Sequence, residues 1–66
     1  VRVEFHTAEE SPDFLFEVPE AQAHLTGLPL IGDLVVWEYT DWVVHERSWK
    51  LAQAEEPVLE IWLRKT

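Results

Sequence analysis

The sequence predicts a mainly β protein, a small five-stranded antiparallel SH3-like barrel with one short helix at about residues 20–25. Three observations predict it. Short runs alternate apolar and polar side chains with period 2, the signature of strands with one buried face. The stretch Pro29 to Trp49 reads as a β-hairpin and holds three of the four tryptophans. A chain of 66 residues without cysteine has no disulfide to staple it, so its short strands must close on themselves to hide their edges.

The elements follow in order. Val1-Arg2-Val3-Glu4-Phe5-His6 alternates, placing Val1, Val3 and Phe5 on a buried face. Ser11-Pro12-Asp13 marks a turn, and Phe14 to Val18 is the return strand of a long-looped hairpin. Pro19 suits a first helical position, Glu20 complements the helix dipole, and Gly27 is placed to end the short helix. Asp33 to Glu38 is a strand, with Leu34-Val35-Val36-Trp37 apolar on both faces. Tyr39-Thr40 forms a hairpin tip without glycine. Asp41 to Leu51 returns, but Trp42 and Val44 have one parity and Arg47 and Trp49 the other; a β-bulge near His45-Glu46 realigns them. Ala52 to Pro57 turns. Val58 to Arg64 is the last strand, with Leu59, Ile61 and Leu63 on one face and Val58, Glu60 and Trp62 on the other. Residues 1–66 make a single domain.

Size and charge narrow the function. So short a chain buries only about 60% of its unfolded surface, so its core needs help from a hydrogen-bonded sheet or an oligomer interface. The net charge is −8: residues 1–46 hold ten acids against Arg2 alone, and residues 47–66 hold three acids against four bases. Such a surface repels phosphates, so no nucleic-acid partner is expected. No apolar run reaches the roughly 20 residues of a membrane span. No signal-peptide pattern precedes Val1, and without a methionine Val1 is not expected to be the encoded start. A cytoplasmic location is the expectation.

The pattern L-P-x-x-G-D-x-V at Leu28, Pro29, Gly32, Asp33 and Val35 continues as W-x-V-x-x-R-x-W at Trp42, Val44, Arg47 and Trp49, and ends in Leu59, Ile61 and Leu63. About half of the chain thereby resembles small bacterial and phage-type β-proteins of similar length. The resemblance implies a fold and nothing catalytic. Tyr39 stands where glycine is typical, and the insert at residues 19–27 is longer than the pattern's.

Chemistry-bearing constellations are sparse. Ser11 and Ser48 lie in no nucleophile-elbow motif, there is no cysteine, and Gly27 and Gly32 make no phosphate-cradling loop. No catalytic residue, cofactor or small-molecule ligand is expected, and the chain is not expected to be an enzyme. His6, His24 and His45 show no metal-binding spacing, so no metal site is expected either. Arg47, between Trp42 and Trp49, is expected to brace the barrel by stacking on indole and pairing with Asp33 or Glu46. Leu34, Val36 and Trp62 exceed what one small barrel can hide, so either the helix at 20–25 covers part of them or they mark a surface for a second copy or another protein. Glu38, Tyr39, Asp41 and Trp42 cluster at the tip, as a site for a cationic or proline-rich peptide requires. The expected function is therefore a non-catalytic interaction module, acting through an apolar patch or as a homodimer. The alternative is an acidic inhibitor-type protein that mimics nucleic acid and blocks a basic partner.

Overall fold

In the computed structural model the described residues are 2–10, 13–18 and 27–66, with Phe14 described by its backbone alone. Val1 and the expected helix at 20–25 lie outside them. The strands are β1 (Arg2–Thr7), β2 (Phe14–Val18), β3 (Leu34–Trp37), β4 (Thr40–Lys50) and β5 (Val58–Lys65). They form one sheet in the order β2-β1-β5-β4-β3. The chain is thus mainly β, a five-stranded half-barrel, with no helix among the described residues.

One expectation about the barrel is corrected. The sheet is mixed, not antiparallel throughout, because β1 and β5 pair in parallel from Arg2↔Val58 to Thr7↔Leu63. The hairpin β1–β2 and the meander β3–β4–β5 therefore join through the first and last strands of the chain. Side-chain alternation reports which face a residue takes, and both strand directions satisfy it equally.

The ladder assigns the faces. Val3↔Leu59 and Phe5↔Ile61 share the inner face with Val44↔Leu63, Arg47↔Ile61 and Trp49↔Leu59. The register shift between Val44 and Glu46 is the expected bulge at His45, and it returns Arg47 and Trp49 to the side of Trp42 and Val44. Val3, Phe5, Trp42, Val44, Leu59, Ile61 and Leu63 are the buried core, with Leu15, Phe16, Val18, Leu28, Val35 and Trp37 packed around them.

The two edge strands approach each other through rings. Phe16 of β2 stacks on Phe5 at 4.5 Å and on Trp37 of β3 at 4.9 Å. This contact spans the mouth of the half-barrel. Beside it lies a cavity of about 550 Å³, lined chiefly by Val3, Phe5, Phe16, Val18, Val35 and Trp37.

Two turns place the exposed surface. Leu30 to Asp33 is closed by Asp33 N–H donating to the Leu30 carbonyl at 2.9 Å, with Gly32 at φ 95° in its third position. The β3–β4 tip is Glu38-Tyr39, one residue earlier than the sequence indicates, because Trp37 pairs with Thr40. Both tip residues have positive φ, 51° and 60°. That is the twist a two-residue hairpin requires, and it is ordinarily supplied by Asn-Gly.

Candidate functional site

The outer face of the sheet carries two distinct regions. The first is the β3–β4 hairpin. Leu34↔Val43 and Val36↔Asp41 point outward, and Leu34 and Val36 are 71% and 70% exposed. Tyr39 is fully exposed at the tip, and Leu30 and Ile31 in the preceding turn add further apolar surface. Asp33, Glu38 and Asp41 are exposed around this patch. The expected surplus of apolar surface is thus present at Leu34 and Val36.

Trp62 does not join that patch. It lies on β5, beyond β4, opposite His6 and Glu46, and its indole stacks on the His6 ring at 4.9 Å. Nor can Trp42 contribute to a peptide site at the tip. It is only 1% exposed, because Trp42 pairs with Val35 on the inner face, so the aromatic framing expected with Tyr39 and Asp41 is corrected.

The Arg47 brace also takes a different form. Asp33 uses its carboxylate locally, where Oδ2 accepts from Leu30 N–H at 2.7 Å. Arg47 has a buried Nε that meets no acceptor among the described residues, and its neighbour Trp49 is 54% exposed. The cation over the Trp42 ring is Lys65, with Nζ 5.6 Å from the centroid. Arg47 thus sits opposite Ile61 on the inner face, with no ion pair to Asp33 or Glu46.

The second region is a polar cluster at the centre of the outer face, and no metal-binding spacing along the chain announces it. Parallel pairing sets Glu4 directly opposite Glu60, and His6 follows one outward position later on β1. Like charges directly opposed are destabilising unless something cationic offsets them. Here His6 Nε2 lies 3.1 Å from Glu4 Oε1 and 3.3 Å from Glu60 Oε2. Lys50 Nζ holds the same Glu60 oxygen at 3.0 Å. Arg2 donates to Glu4 Oε2 through Nη2 and to Glu17 Oε1 through Nε, both at 2.6 Å. Asp13 Oδ1 lies 3.8 Å from His6 Nδ1. The network thus ties four strands together, from Glu17 on β2 to Lys50 on β4.

Within it, the hydrogen bond to Glu17 raises the Arg2 guanidinium, and the hydrogen bond to Glu60 raises the Lys50 ammonium. The ligand-type atoms of Glu4, His6 and Glu60 all lie within 4.8 Å of one another. A signal that could have pointed to the cluster is Glu60 itself, a charge in mid-strand between Leu59 and Ile61, which demands a partner when its strand is central.

No protein-family model matches the chain, and no curated protein or solved structure matches it.

Proposed function

We propose that the chain is a non-catalytic protein-interaction module whose contact surface is the outer face of the β3–β4 hairpin. The observation that carries this reading is Tyr39. Its ring is fully exposed, so it contributes no packing, yet it occupies a left-handed backbone position at φ 60°. A non-glycine residue there costs about 1–2 kcal/mol. Strained residues that pack on nothing concentrate where function requires them. Leu34 and Val36 extend the same face, and aromatic residues are favoured at interfaces.

The fringe of Asp33, Glu38 and Asp41, together with the net charge of −8, sets the chemistry of the partner. It is another protein presenting an apolar surface rimmed by lysine or arginine. A second copy would bring the same acidic fringe against itself, which disfavours self-association.

The test is an amide-resolved NMR titration with a peptide that alternates apolar residues and is flanked by lysines. Shifts confined to residues 30–41, weakened by salt and lost in Leu34→Ser/Tyr39→Ser, are the expected result. A flat titration would remove the proposal. Dimers in sedimentation whose interface maps to Leu34 and Val36 would replace the foreign partner by a second copy.

A further inference from the structure

We infer that Glu4, His6 and Glu60 form a binding site for a divalent transition-metal ion of the Zn2+ class. The inference is independent of the hairpin surface, because the cluster lies two strands away from β3.

The donor set is two carboxylates and an imidazole. The side chains of His6 and Glu60 are only 9% and 7% exposed, and that of Glu4 is 15% exposed. Zinc binds nitrogen and carboxylate oxygen at about 2.0–2.2 Å in tetrahedral geometry, which places neighbouring ligand atoms roughly 3.3–3.5 Å apart. The two separations around His6 Nε2, 3.1 and 3.3 Å, approach that edge length before any adjustment. An imidazole donor favours zinc-class ions over Mg2+ and Ca2+, which prefer oxygen alone.

The surroundings have the character of an outer shell. Arg2 engages Glu4 Oε2 and leaves Oε1 directed at His6. Asp13 lies on the Nδ1 side of His6, so that Nε2 is the ring nitrogen turned to the carboxylates. Trp62 stacks on the ring and fixes its plane. Such outer groups orient metal ligands and set ligand basicity. The same atoms also serve as a purely protein ion-pair network, with Lys50 supplying the charge that Glu60 needs. The side chain of Lys50 is 69% exposed, so its ammonium can leave for water when an ion arrives. Lys50 is thus a competitor for the ion, and this distinguishes a metal site from a simple brace.

The experiment is calorimetric titration of Zn2+ into the full chain, with the His6 ring followed by NMR. Saturable one-to-one binding that shifts the His6 ring is expected, with no response to Mg2+. His6→Gln and Glu60→Gln should each weaken binding by at least about tenfold, and His45→Gln should leave it unchanged. Lys50→Met should tighten binding severalfold, and Zn2+ should restore the melting temperature which that variant loses. Absence of saturable binding, wild-type affinity in Glu60→Gln, or weaker binding in Lys50→Met would each overturn the inference. Should the Glu60 variant fail to fold, the direction of the Lys50→Met change decides.

Discussion

Glu38 and Tyr39 show how a single backbone angle can carry a functional argument. Each sits at positive φ, where an L side chain with a Cβ is disfavoured and glycine or asparagine is not. Replacing the pair by Asn-Gly should raise stability by about 1–3 kcal/mol, read as a higher urea midpoint at unchanged slope. A neutral or destabilising result would mean that the Tyr39 ring contributes to the fold after all. Trp42 offers a second test. Its indole is buried and Nε1 meets no acceptor among the described residues. Trp42→Phe removes that donor along with some volume, so it should cost less than about 1.5 kcal/mol. Trp42→Ala leaves a cavity and should cost about 3–5 kcal/mol. The sequence places Trp42 correctly by parity with Val44. It misplaces it at the tip because neighbours along a strand point to opposite faces, which sends Trp42 inward while Asp41 points out.

The ladder between β1 and β5 governs the outer face. Its parallel register puts Glu4 beside Glu60, and the cations Arg2 and Lys50 gather around them. Lys50 and Arg2 are both raised by their carboxylate partners. A base with a raised folded value contributes stability that is complete below its unfolded value and fades as pH climbs through the folded one. For Lys50 that fade begins only above its ordinary value of 10.5, so its contribution is unchanged throughout the neutral range. The gap in melting temperature between the wild type and Lys50→Met should therefore be constant from pH 7 to 9 and shrink only in alkali, above the ordinary lysine value of 10.5. Arg47 provides the contrast within β4. Without an ion-pair partner among the described residues, it should tolerate Arg47→Met within about 0.5 kcal/mol. A larger loss would restore the electrostatic brace that the sequence pattern indicates.

Across the whole molecule, aromatic stacking links the edges that hydrogen bonds leave apart. Phe16 and Trp37 belong to the first and last strands of the sheet order, yet their rings stack at 4.9 Å. A double-mutant cycle of Phe16→Leu and Trp37→Leu should give a coupling of about 0.5–1.5 kcal/mol. Additive losses would show that the half-barrel keeps its curvature without this contact. The net charge of −8 also acts at this scale, since repulsion among the acids is spread over the surface and is screened beyond about 10 Å at 0.1 M salt. The exposed ion pairs lose little by the same screening.

Alternation along the chain by itself determined the strands, the faces of Val3, Phe5, Leu59, Ile61 and Leu63, and the bulge at His45. It also showed that Leu34 and Val36 would be left outside the core. These are local matters, settled by a period of two and by the surface a side chain must hide. Only the tertiary structure decided which strands are neighbours and in which direction they run. Pairing β1 with β5 joins the two ends of the chain at a sequence separation that no spacing rule reaches, and neither strand's pattern encodes it. Glu4 and His6 share a face of β1 by alternation, but Glu60 joins them only through that pairing. The apolar hairpin face lies on β3, an edge strand of the sheet. The surface was therefore legible in the residues, and the cluster was not.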